Sequence, residues 1–131
     1  MALFGLAFKP GTDDLRDAPA IDIARRLVEL GATVVGYDPI VKEVPGFPEL
    51  RTTSEAFEAA ERSDAVVIVT EWPEFNELDF ARLAEVMRGD LLFDGRNAID
   101  AERVRAAGLT YEGIGRGEIF YTSPAFQTIP E

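Results

Sequence analysis

The chain has 131 residues, 13 Lys plus Arg against 24 Asp plus Glu, and a formal net charge of −11. With 47% hydrophobic and 28% charged residues, it suits one cored domain and lies outside the composition range of disordered chains. The acidic balance argues against non-specific binding of nucleic acid or anionic membranes, which draws on Lys and Arg stripes, so any phosphate must be held by a few local cations.

Residues 2–8 read as a buried strand. Ile21, Ala24, Leu27 and Val28 follow at helical spacing and Gly31 stops that helix; Asp17 is its expected N-cap, with Pro19 in the first turn and Asp22 near the positive end. Residues 33–37 form a second strand closed by Asp38-Pro39. Residues 40–53 contain Pro and Gly and read as loop. Ser54 caps the next helix, whose inner face carries Phe57 and Ala60. Residues 64–70 are the clearest buried strand of the chain. Residues 71–75 read as loop, followed by a helix with Phe80, Leu83, Ala84 and Met87. Leu91–Asp94 is a fourth strand, residues 100–107 a short helix and residues 110–114 a fifth strand. Residues 116–131 mix aromatics with two prolines, show no clean period and receive no element.

Five strands alternating with helices predict an α/β, Rossmann-like three-layer sandwich: a five-stranded, mainly parallel sheet with helices on both faces. Right-handed crossovers favour the strand order 3-2-1-4-5, with a flavodoxin-like order left open. No repeat or interdomain linker is visible, so residues 1–131 read as a single domain with an ordered core at about 2–116. No apolar run reaches the roughly 20 residues of a membrane helix and no secretory leader pattern is present. A soluble domain is expected, and the absence of cysteine fits a reducing cytoplasm.

The sequence has neither Cys nor His. This removes disulfides, thiolate nucleophiles, Cys/His zinc sites and His-based general bases, leaving carboxylates, Lys9, Lys42, tyrosines and hydroxyls. In doubly wound sheets, ligands bind beyond the strands' carboxyl ends, where the strand order reverses. With the order 3-2-1-4-5, the first and fourth strands flank that point. Lys9 follows one and Arg96 the other, and an ammonium with a forked guanidinium suits a phosphate or diphosphate; two solvated loop cations are the bland alternative. The first loop is not a dinucleotide fingerprint, because Gly5 is followed by Leu6 and Ala7 and a long loop precedes the helix. Asp38 lies where a ribose-binding acid would, or simply makes an Asp-Pro turn. Asp13, Asp14, Arg16 and Asp17 form a charged cluster of the solvated-loop kind, from which Arg16, sharing Lys9's loop, could reach a second anion. Trp72 and Phe75 read as loop packing ahead of base stacking, and Glu71 and Glu74 as surface groups.

Residues 5–20, GLAFKPGTDDLRDAPA, closely resemble the start of the C-terminal domain of the UDP-glucose/GDP-mannose dehydrogenase family. Tyr37-Asp38-Pro39, Thr70-Glu71-Trp72, Phe93-Asp94-Gly95-Arg96-Asn97 and Tyr111-Glu112-Gly113-Ile114-Gly115-Arg116 continue the resemblance in order, to about Arg116. It implies an enzyme that oxidises the C6 hydroxyl of a nucleotide sugar to a carboxylate in two steps with two NAD. Such an enzyme has an N-terminal NAD domain, a central dimerisation domain, and this domain for the nucleotide of the substrate. By resemblance, Phe8 and Lys9 contact the nucleotide sugar, Arg96 contacts the substrate, and Arg16 reaches NAD across the domain interface.

The family's catalytic cysteine, NAD glycine fingerprint and catalytic lysine belong to the preceding domains and are missing from this sequence. Met1 falls where a longer chain would already be entering the first strand, so an excised domain or shortened reading frame is expected. By itself the chain is expected to bind nucleotide weakly, to oxidise nothing, and to self-associate through surface that partner domains would cover. Asp17-Ala18 departs from the family's usual acid-Ser pair, and the tail after Gly117 matches no family pattern. The rivals are a structural oligomerisation domain with a vestigial pocket and a phosphoacceptor receiver. The receiver's acid pair, Asp and Lys would have to end strands 1, 3 and 5, where this sequence does not place them.

Overall fold

A computed structural model of the chain describes residues 1–7, 9–11, 14–16 and 18–114. Phe8, Asp13, Asp17, Arg116 and the tail therefore lie outside the described residues. The elements in chain order are β1 (Ala2–Phe4), α1 (Pro19–Glu29), β2 (Val35–Tyr37), β3 (Arg51–Thr52), α2 (Ala56–Ala60), β4 (Ala65–Ile68), a 3-10 helix (Pro73–Glu77), α3 (Phe80–Val86), β5 (Leu91–Asp94), α4 (Ala101–Ala106) and β6 (Thr110–Gly113). All six strands are parallel, in the order β3-β2-β1-β4-β5-β6.

The expected α/β sandwich is present, with six strands rather than five. The additional strand, Arg51–Thr52, lies in the stretch read as loop and pairs with Val35 and Gly36 at the sheet edge. Its neighbour Thr53 N donates to Gly36 O at 3.1 Å. Two polar residues at an edge carry no apolar alternation, so hydrophobic periodicity passes over them. The extra strand changes the neighbours of β1. The third predicted strand, now β4, sits beside β1 and not beyond β2, while Leu91–Asp94 is one strand further out.

Two further boundaries move. β1 ends at Phe4 because Gly5 turns the chain at φ +95, a conformation open to glycine. α1 begins with Ala18 in the cap position and no side-chain cap bond. The cap residues of α3 and α4 behave as their type predicts: Asp79 accepts from Arg82 N and Asp100 from Glu102 N.

The sheet separates two apolar clusters. On one face Ala2, Phe4, Val66, Ile68, Leu92 and Tyr111 meet α2, α3 and α4 through Ala59, Leu83 and Val104. Phe4, Tyr37 and Phe75 form a ring trio here, with centroids 5.5–6.1 Å apart. On the other face Leu3, Leu6 and Val34 pack against Ala20 and Ala24 of α1 and against Val41, Phe47 and Leu50 of the loop before β3. Alternation along β4 and β5 turns Val67, Leu91 and Phe93 to this second face, where they are only half-buried, and Leu91 and Phe93 join neither cluster. Among the described residues α1 is the sole helix on that side. Arg25 on one flank of α1 stacks over Phe47 at 4.6 Å, so helical geometry puts Ile23 and Leu30 on the opposite flank, towards β4. Both are exposed, Leu30 to 66%. No helix among the described residues is long and apolar enough to cross a membrane.

Candidate functional site

Phe4, Ile68 and Asp94 are register partners, so the loops leaving β1, β4 and β5 start level at one edge of the sheet. The reversal of strand order falls between β1 and β4. Lys9 and Arg96 both emerge at this edge, but their loops are not adjacent: β4 stands between them, leaving β1 and β5 about 10 Å apart at the usual strand spacing. The expected pairing of the first and fourth predicted strands is thus corrected, and the loop after β4, with Glu71 and Trp72, enters the site.

Two buried aspartates hold the loops. Asp38, fully buried at the end of β2, accepts from Leu6 N at 2.8 Å and Ala7 N at 3.3 Å through Oδ2, and from Ile40 N and Val41 N at 2.8 and 2.9 Å through Oδ1. Both oxygens are committed to backbone donors, so Asp38 staples the β1 loop to β2 and is not free to bind a ribose. Asp94, fully buried at the end of β5, does the same one loop further. Its Oδ1 accepts from Arg96 N and Ala98 N at 3.1 Å each, and its Oδ2 from Ile99 N at 2.8 Å and the Tyr111 hydroxyl at 2.9 Å. Thr70 completes the clasp by donating its hydroxyl to Ala7 O at 2.8 Å, joining the β4 end to the β1 loop. Short polar side chains at strand ends thereby preorganise the cation-bearing loops.

Arg96 does not stand alone. Its Nε donates to the Glu71 carboxylate, and both side chains remain about 40% exposed. Glu71, read from sequence as a surface group, is therefore part of the site. Glu74 is likewise engaged: the Tyr37 hydroxyl donates to it at 3.0 Å. Burial first, then this carboxylate, push the Tyr37 hydroxyl up to about 12, keeping it a protonated donor. Trp72 packs against the core through Phe75's neighbourhood, as the packing reading expects, with its indole Nε1 buried and unpartnered among the described residues.

On the β1 loop Lys9 is exposed. Arg16 grips Asp14 through Nε and Nη2 at 3.0 and 2.9 Å, and its backbone N donates to the same carboxylate at 2.9 Å. These hydrogen bonds, with a smaller contribution from the Lys9 charge, hold the Asp14 carboxyl down at about 2. The loops at this edge thus carry two separate ion pairs, Arg16 with Asp14 after β1 and Arg96 with Glu71 after β5 and β4, and the exposed Lys9. Phe8, the other candidate, lies outside the described residues. A depression of about 340 Å³ at the opposite end, lined by Met1, Thr33, Ser63 and Arg88, is remote from these loops, and its Arg88 is spent on Asp64 at 2.7 Å.

A sequence profile of the UDP-glucose/GDP-mannose dehydrogenase family, UDP binding domain, matches residues 2–101. The chain belongs to this family. It is 37% identical over 133 residues to UDP-glucose 6-dehydrogenase TuaD of Bacillus subtilis, covering 99% of this chain and 29% of that protein. It is 45% identical over 121 residues to the UDP-glucose 6-dehydrogenase of Rhizobium meliloti, covering 88% of this chain and 27% of the relative. Among solved structures, the UDP-D-ManNAc dehydrogenase of Pyrococcus horikoshii superposes with a TM-score of 0.73 at 35% identity, over 89% of this chain and 25% of its own. An NDP-N-acetyl-D-galactosaminuronic acid dehydrogenase of Methanosarcina mazei superposes at 0.78 with 28% identity, over 87% and 24%. The chain thus spans about a quarter of the length of these family members.

Proposed function

We propose that this domain binds the nucleotide half of a UDP-sugar at the carboxyl edge of β1, β4 and β5, within an NAD-dependent nucleotide-sugar 6-dehydrogenase. The observation that carries the reading is that Lys9 and Arg96 stand on loops leaving the same sheet edge of an otherwise acidic protein, loops pinned by Asp38 and Asp94. Family membership adds the class of ligand. In this reading Lys9 and Arg96 hold the diphosphate, Phe8 contacts the nucleotide sugar and Arg16 reaches the dinucleotide.

The chain's own chemistry is binding and orientation. The β1 turn lacks the glycines of a dinucleotide fingerprint, so this domain fits NAD only at its margin, through the exposed guanidinium of Arg16. NAD, when bound to the assembled enzyme, supplies the hydride acceptor for oxidation of the sugar C6 hydroxyl. With neither Cys nor His in residues 1–131, a thiolate nucleophile or imidazole base would come from outside this domain, whose task in this reading is to fix the substrate's far end so that C6 is presented in one place.

Calorimetric titration with UDP, with GDP as control, tests the reading. UDP is expected to bind in preference to GDP, and Lys9→Ala and Arg96→Ala each to weaken UDP by about tenfold, the scale of one lost charged hydrogen bond. Preference for GDP, or full affinity in both variants, would refute it. The same fragment is expected to leave NAD unreduced when supplied with UDP-glucose.

A second reading, oligomerisation, is favoured by the apolar shelf of Ile23, Leu30, Val67, Leu91 and Phe93. Sedimentation equilibrium at several hundred micromolar is expected to show a dimer that Leu30→Lys returns to monomer. A monomeric wild type at that concentration would count against it.

A further inference from the structure

We propose that Glu71 is an affinity-setting residue that attenuates, by its charge, the hold of Arg96 on the anionic half of the ligand. The inference rests on the nucleotide-binding reading of this edge and adds to it a carboxylate that opposes the ligand. Topology puts it there: β4 lies between β1 and β5, so the residues that follow Ile68 stand between the loop of Lys9 and the loop of Arg96. Both partners of the ion pair have fixed backbones. Arg96 N is held by Asp94 at 3.1 Å. Glu71 is flanked by Thr70, whose hydroxyl is bonded to Ala7 O, and by Trp72, whose N donates to Thr70 O at 3.0 Å.

The contact consumes the guanidinium at Nε, and among the described residues no hydrogen bond engages Nη1 or Nη2. Arg96 thus keeps the two terminal nitrogens that suit a phosphate while the neighbouring carboxylate offsets its positive field. A phosphate arriving at Nη1 and Nη2 meets the dipole of an ion pair and the repulsion of a carboxylate a few ångströms away. A single phosphate gains little against that repulsion. That repulsion grows with the charge of the ligand, so Glu71 weakens a diphosphate more than a monophosphate, and the diphosphate binds because it is long enough to engage Lys9 as well.

Two roles for Glu71 make opposite forecasts. If it served only to orient Arg96, a substitution that keeps the hydrogen bond would leave affinity unchanged and one that removes it would weaken binding. If its charge governs the site, removing the charge tightens binding. Glu71→Gln separates them, because the amide oxygen still accepts from Nε while the charge is gone. One unit charge about 5 Å from a multiply charged phosphate in a water-exposed site corresponds to about tenfold in affinity, falling towards twofold at 0.5 M salt.

The experiment is calorimetric titration of wild type, Glu71→Gln and Glu71→Ala with UDP, UMP and inorganic pyrophosphate, at low and high salt, each protein first shown to be folded by circular dichroism. Glu71→Gln is expected to tighten UDP and pyrophosphate about tenfold at low salt, to widen the preference for UDP over the less charged UMP, and to bind more tightly than Glu71→Ala, in which Arg96 loses its anchor. UDP binding that Glu71→Gln leaves unchanged or weakens would overturn the role given to Glu71 and leave the nucleotide site standing. UDP binding by none of the three folded proteins would overturn the nucleotide reading of this edge, and the role of Glu71 with it.

Discussion

Asp94→Ala is expected to cost about 3–5 kcal/mol of folding stability, a large share of the 5–15 kcal/mol typical of a domain. Four donors converge on this carboxylate: the backbone N–H groups of Arg96, Ala98 and Ile99, and the Tyr111 hydroxyl. Alanine removes this shared acceptor at a fully buried position, and each buried donor that loses its partner costs about 1–3 kcal/mol, the part-buried ones less. The damage extends to β6, since Tyr111 ties that edge strand to the β5 loop. Asp94→Asn keeps one carbonyl acceptor but turns an amide donor towards groups that are themselves donors, so it should fall between wild type and alanine. Urea unfolding of the three proteins measures the series. A loss below about 1 kcal/mol for alanine would mean that the loop finds other acceptors, contrary to its description as a preorganised platform for Arg96.

The second large effect is at Gly5. Its φ of +95 already disfavours any other residue, and a Cβ placed there would lie 2.5 Å from the Thr70 Cβ and 2.7 Å from the Thr70 backbone N. Backbone cannot swing aside as a side chain can, so the ends of β1 and β4 would have to part at the point where strand order reverses. Gly5→Ala is expected to lose about 3 kcal/mol or more, the sum of left-handed strain and overpacking. Gly11 provides the matched control: its φ is +82, but nothing lies within 4 Å of an added Cβ. Gly11→Ala should cost about 1 kcal/mol, the conformational part alone. Thermal unfolding of both variants separates the two causes. Equal losses would show that the close approach of Gly5 to Thr70 contributes nothing.

Much of this architecture can be read in the sequence because its strands are announced by apolar runs. Ala65–Ile68 and Leu91–Asp94 are continuous or alternating, and α1 carries helical spacing ended by Gly31. Arg51 and Thr52 carry no such signal; their strand exists because β2 offers an edge to pair with. Without that strand β4 falls on the wrong side of the sheet, and the pairing of Glu71 with Arg96 stays hidden. Lys9 and Arg96 stand out as candidates because an isolated cation after a strand in an acidic chain is visible in one dimension. Glu71 does not, since one acid among many gains meaning only when its strand is known to lie between theirs. Asp38 and Asp94 were visible as strand-end aspartates. That their oxygens are spent on backbone donors is a property of loops folding back, which no spacing rule encodes.

The central position of β1 has a consequence for how the chain is made. Within this domain Ala2–Phe4 leaves the ribosome ahead of the other described strands, yet its two neighbours, Val35–Tyr37 and Ala65–Ile68, follow much later. A lone β1-β2 pair is too small to persist, so the middle of the sheet waits, apolar and unpaired on both edges, until β4 has emerged. Such distant pairings slow folding and lengthen the interval in which a nascent strand can be captured by another chain. The same arrangement that brings three loops together at one edge of the sheet thus makes synthesis, more than the finished fold, the vulnerable stage of this domain.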